Sequence, residues 1–101
     1  MFLVKTRYGG ETRKVFNNKR DAEKYYVDNI NYNSIIKEIK PFKLDNEQMY
    51  YNLENNCISI YNKNYEYITS EIINGNIKEP IEPELLLSIV HNYIDRYILP
   101  Y

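Results

Sequence analysis

The chain of 101 residues contains no tryptophan, one cysteine, one histidine, three glycines and four prolines. With Cys57 alone, no internal disulfide can form, and too few thiolates remain for a structural zinc site. With His91 alone, a metal site built on a histidine pair is excluded. No stretch approaches the roughly 20 consecutive apolar residues of a membrane-spanning helix. The opening MFLVKTRYGG lacks a basic leader ahead of an apolar core. These absences predict a chain that is neither secreted nor membrane-embedded and that works in the cytoplasm. Glycine is too sparse for a phosphate-cradling loop, and Gly9-Gly10 reads as a hairpin turn.

What is present is an ordinary globular balance, 44% apolar and 27% charged, in a length that predicts a single domain over residues 1–101. Asparagine (14), isoleucine (14), tyrosine (12) and lysine (9) make up almost half of the chain, a bias that A/T-rich codons produce. Twelve tyrosines are nevertheless too many to bury in so small a core with every hydroxyl paired. The net charge of −1 hides an asymmetry. Residues 1–43 carry ten Lys/Arg against five Asp/Glu, and residues 44–101 carry three against nine. Such a split points to a charged partner, or to two halves that attract each other within one fold.

FLVKTRY and ETRKVF, on either side of Gly9-Gly10, predict a β-hairpin. A two-residue loop sets Tyr8 opposite Glu11, Lys5 opposite Lys14 and Val4 opposite Val15. Asn18 is a suitable N-cap for a helix over residues 18–30, with Asp21 three residues on and a stripe of Ala22, Tyr25, Tyr26 and Ile30. SIIKEIKPFKL reads as a third strand, bent or placed at an edge by Pro41, which completes a ββαβ module over about residues 1–45. DNEQMYYNLENN, without clear periodicity, reads as loop, and CISIY and YEYITSEII form a second hairpin around Asn62-Lys63-Asn64. Pro83 opens a helix over residues 83–98 with an apolar stripe from Leu86 to Ile98. The expected class is α+β: a small antiparallel sheet, from the ββαβ module plus the second hairpin, with two helices, the second C-terminal.

Catalytic constellations are weak. His91 and Asp95 lie four apart on the last helix, but a triad needs a nucleophile, and nothing in the sequence brings Cys57 near them. The carboxylates are scattered, with no paired-acid or metal-ligand spacing. No catalytic residue, metal or other cofactor and no small-molecule substrate is expected. The candidate surfaces are electrostatic. Lys5, Arg7 and Lys14 on the hairpin, with Lys19 and Arg20 at the helix start, form a basic group that phosphate or an acidic protein surface would answer. Glu38 on a neighbouring strand, or solvent together with edge protection by lysine, would answer it equally. In the acidic half, Glu54, Glu66, Tyr67, Glu71 and Glu79 can imitate nucleic acid toward a basic groove, or form a solvated polar face.

YGGETRKVFNNKRDAEKYY carries a likeness to known proteins. Tyr8, Gly10, Arg13, Phe16, Asn17, Lys19, Ala22, Glu23, Lys24 and Tyr25 resemble, without gaps, a ββα module of small phage and mobile-element proteins, in particular an anti-CRISPR inhibitor of type II-C CRISPR nucleases. The likeness spans about residues 4–30. It implies a non-enzymatic protein, in the cytoplasm of an infected bacterial host, that binds a defence nuclease and blocks its access to nucleic acid. The same segment is similar to the arm-type DNA-binding domain of phage integrases, which implies instead a regulator that binds DNA through the basic hairpin.

Overall fold

Asparagine does most of the turning in this chain. Asp45 and Asn46, and again Asn55 and Asn56, hold positive φ angles of 48°, 72°, 52° and 61°. A pair of left-handed residues is what a two-residue primed turn demands, and Asn and Asp tolerate that region better than other side chains bearing a Cβ. The computed structural model describes residues 1–7, 10–30 and 33–98. Contacts divide the chain into two compact units, Met1–Lys40 and Pro41–Tyr101.

The first unit is a ββαβ arrangement. β1 (Phe2–Arg7) pairs antiparallel with β2 (Glu11–Phe16) on one side and β3 (Ile35–Glu38) on the other, giving the order β2-β1-β3. Between β2 and β3 runs α1 (Lys19–Asp28), whose N-cap Asn18 accepts a 2.7 Å hydrogen bond from the Arg20 amide. Ala22 is fully buried, and Tyr25 lies 5.5 Å from Phe16, so the helix covers the sheet face that Phe16 shares. Ile30, which the stripe would bury, falls past the helix end and is 53% exposed.

The hairpin register differs from the sequence expectation by one residue. Arg7 pairs with Glu11, Lys5 with Arg13, Val4 with Lys14 and Phe2 with Phe16. The connection therefore spans three residues, of which Gly10 has φ 137° and Tyr8 and Gly9 lie outside the described residues. A one-residue shift exchanges faces along a whole strand. Phe2, Val4, Lys14 and Phe16 share the helix side, and Leu3, Lys5, Arg13 and Val15 share the other.

SIIKEIKPFKL is not one strand. It breaks at the buried Ile39, whose amide donates to the Met1 carbonyl at 2.9 Å, into β3 and β4 (Lys40–Leu44), which belong to different sheets. The segment read as loop is the long strand β5 (Glu47–Glu54), bounded by the two Asn/Asp turns. Its Met49, Tyr50, Tyr51 and Asn52 are buried in succession, so both faces are covered and no alternation shows. β6 (Cys57–Tyr61) and β7 (Tyr67–Ile72) follow as the predicted second hairpin, completing the order β4-β5-β6-β7. At its turn, the Asn62 side-chain oxygen accepts from the amides of Asn64 and Glu66 at 2.9 and 3.0 Å.

α2 (Pro83–Tyr93) opens with proline in its first turn, where the missing N–H costs nothing, and continues as a wider π turn over Ile94–Ile98. Leu86, Ile89 and Val90, at i, i+3 and i+4, are buried against Met49, Tyr51, Ile58 and Ile60. That cluster is the core of the second unit, and the α+β class with a C-terminal helix is as the sequence predicts. No helix among the described residues is long and apolar enough to cross a membrane.

Candidate partner-binding surfaces

The basic hairpin does not present one cationic face. Lys5 has only 10% of its side chain exposed, and its Nζ lies 3.7 Å from Glu11 Oε1. The Arg13 guanidinium donates to the other Glu11 oxygen at 2.6 Å. One carboxylate on β2 thus answers both cations, a role the sequence had offered to Glu38. Arg7 is exposed at the end of β1 and, with Lys5, Asn33 and Ile35, lines a shallow concavity of about 290 Å³.

Lys14, expected beside Lys5 and Arg7, stands on the opposite face. The shifted register sends it to the helix side, where its ammonium sits 4.9 Å from the centre of the Tyr25 ring. Lys19 and Arg20 are exposed in the first turn of α1, and Lys19 lies 3.8 Å from Glu23 one turn on. Lys14, Lys19, Arg20 and Lys24 are all exposed and belong to the helix-covered side, which separates them from Lys5 and Arg7.

The acidic candidates are spread around the second unit. Glu54 borders the Asn55–Asn56 turn at one end of the sheet. Glu66 and Tyr67 adjoin the Asn62 turn at the other end, on the order of 15 Å away along β6. Glu66 is held by Asn62 Nδ2, which donates to its carboxylate at 3.0 Å. Tyr67 is 52% exposed, with its hydroxyl 2.7 Å from Ser70 Oγ. Glu71 pairs with Ile58, which puts it on the face covered by α2, whereas Glu54 pairs with Cys57 on the reverse face. Glu79 is exposed on the connector ahead of α2.

The same register settles where Cys57 stands. It lies one residue from Ile58 and therefore on the sheet face turned away from α2, the element that carries His91. Cys57 and His91 are not brought together. Among the described residues, no group of three or more His, Cys, Asp or Glu is placed to hold a metal ion.

That reverse face of the four-stranded sheet is rich in tyrosine. The Tyr50 and Tyr65 rings meet at a tilt with centroids 4.9 Å apart, and Tyr61 meets Tyr67 edge-on at 6.0 Å. The hydrogen bond with Tyr65 raises the Tyr50 pKa above the ordinary tyrosine value, and burial adds to the rise. Burial raises that of Tyr61, helped by the neighbouring Tyr67 and Glu54.

Charge follows the structural boundary. Residues 1–40 carry nine Lys/Arg against five Asp/Glu, and residues 41–101 carry four against nine, so each folded unit has its own sign. The charge split read from the sequence, after residue 43, falls three residues from this boundary. Sequence reasoning missed the groove beside β7, formed by Thr69, Glu71, Ile89, Asn92, Tyr93 and Arg96, because only the register places Glu71 toward the helix. No protein-family model, curated protein or solved structure matches the chain.

Proposed function

We propose that the chain is a binding protein without chemistry of its own, which inhibits a bacterial defence nuclease by seating its acidic unit, residues 41–101, in the nuclease's basic nucleic-acid groove. The observation that carries this reading is the coincidence of charge and structure: one compact unit carries nine carboxylates against four cations, and the other is net basic. Carboxylates at both ends of the four-stranded sheet stand in for phosphates, and exposed Tyr67 supplies contact area. The likeness of residues 4–30 to inhibitors of type II-C CRISPR nucleases supports that class of target, and the site of action is then the cytoplasm of the infected host.

The test is association kinetics with such a nuclease. The Glu54→Gln, Glu66→Gln and Glu79→Gln triple variant should associate on the order of 10-fold more slowly at low ionic strength and show a weaker salt dependence. Replacing Lys14, Lys19, Arg20 and Lys24 with glutamine should leave association nearly unchanged. A second reading, direct DNA binding, is favoured by those four exposed cations on the α1 side. Duplex binding by the chain alone at physiological salt, tighter than the ~10⁻⁴–10⁻⁶ M of non-specific contacts, would give that reading precedence.

A further inference from the structure

Among the described residues, three of the four sheet edges carry residues that discourage a further strand. β2 has Arg13 and Lys14, β3 has Lys37, and β4 has Lys40, Pro41 and Lys43. The fourth edge is β7, YITSEI, which has no lysine, arginine or proline. It carries Tyr67 and Ile72, the latter 75% exposed. The Ile73 amide donates to the Asn56 carbonyl at 2.9 Å. Alternation along the antiparallel ladder then directs the backbone groups of Thr69 and Glu71 toward β6, and those of Ser70 and Ile72 outward from the sheet.

A second β7 can use these outward groups in few symmetric registers. The bulge near Ile68, where the β6–β7 register shifts, removes those centred at the start of the strand. A two-fold axis at Glu71 would oppose two carboxylates, and one at Ile72 would overlap only the end of the strand. An axis at Ser70 sets Ser70 against its own copy and Thr69 against Glu71 of the second copy. On the helix-covered face, Thr69 and Glu71 line a groove of about 320 Å³ together with Arg96. Arg96 is exposed and has no ion-pair partner among the described residues. The register delivers the incoming Glu71 into this groove beside Thr69, toward Arg96, and symmetry repeats the arrangement.

We propose that β7 is a self-association edge: two copies of the chain pair strand to strand about Ser70, and each Arg96 receives the other copy's Glu71. So short an overlap makes a weak, concentration-dependent dimer.

Sedimentation of the chain alone, from about 10 µM to about 1 mM, spans the range over which so small an interface associates. The expected result is a weight-average mass rising from 12.2 kDa toward twice that value. Ser70→Lys, at an exposed position, should hold the chain monomeric throughout. Glu71→Arg and Arg96→Glu should each weaken association at least about 10-fold, and the double swap should restore it. Circular dichroism establishes that each variant is folded, and Ser70→Lys decides the matter if Glu71→Arg is not. A wild-type chain monomeric at the top of the range overturns the proposal. So does a Ser70→Lys variant that dimerises like wild type, or a folded double swap that stays monomeric. Because no nuclease is present, this result is independent of the inhibitor reading.

Discussion

Ile58→Ala tests the core of the acidic unit directly. Ile58 is 0% exposed at the centre of the four-stranded sheet, among Met49, Tyr51, Ile60, Leu86, Ile89 and Val90. The substitution removes three carbons from a site with no solvent contact, a transfer loss of about 2.4 kcal/mol at ~0.8 kcal/mol per carbon. A rigid sheet on one side and α2 on the other limit collapse, so a residual cavity adds about 1 kcal/mol. The expected loss is therefore about 3–4 kcal/mol, a large part of the 5–15 kcal/mol typical of a domain. At ~4–8 °C per kcal/mol, the melting temperature should fall by roughly 12–30 °C. Urea unfolding in dilute protein, followed by far-UV circular dichroism and tyrosine fluorescence (there is no tryptophan), measures it. Ile72→Ala, on the neighbouring strand but 75% exposed, should cost less than about 0.5 kcal/mol. A loss below about 1 kcal/mol for Ile58→Ala, or equal losses for the two variants, refutes the assigned core.

Two further outcomes follow from particular contacts. Asn18→Ala removes the acceptor for the Arg20 amide and should destabilise by about 1 kcal/mol, whereas Asn18→Ser should retain most of that, read from the same urea midpoints. Tyr50 and Tyr61 have pKa values raised in the folded state, so between the unfolded value near 10 and the folded values the native chain keeps protons that the unfolded chain releases. Their contribution is fully present below about pH 10 and is lost as pH rises through the folded values, so the Tyr50→Phe and Tyr61→Phe double variant should show a shallower alkaline loss of stability in melts between about pH 9 and 11.5.

Most of the secondary structure was legible because its signals are local. Asn18 caps one helix, Pro83 starts the other, and the Asn62 turn divides CISIY from YITSEI. β5 was not legible by periodicity, since Met49 to Asn52 are buried in succession and produce no alternation. Its boundaries were nevertheless written in Asp45-Asn46 and Asn55-Asn56, two pairs suited to primed turns and spaced by one strand length. The break at Ile39 could not be read locally, because only long-range pairing assigns β3 to one sheet and β4 to another.

The site depended on register, and there the choice of turn misled. Gly9-Gly10 invites a two-residue loop, which opposes Lys5 to Lys14 and leaves Phe2 facing Asn17. The register one residue away pairs Phe2 with Phe16 and Leu3 with Val15, and brings Glu11 between Lys5 and Arg13. Both registers make two apolar pairs, since the two-residue loop would oppose Leu3 to Phe16 and Val4 to Val15, so the charge pairing around Glu11 is what favours the observed register over the shortest turn. The consequence reaches function. Lys14 leaves the cluster with Lys5 and Arg7 and joins Lys19, Arg20 and Lys24 on the α1 side. A basic surface remains in the first unit, but it is built on the helix, and mutations of the strand cations Lys5 and Arg13 would report on folding before they reported on binding.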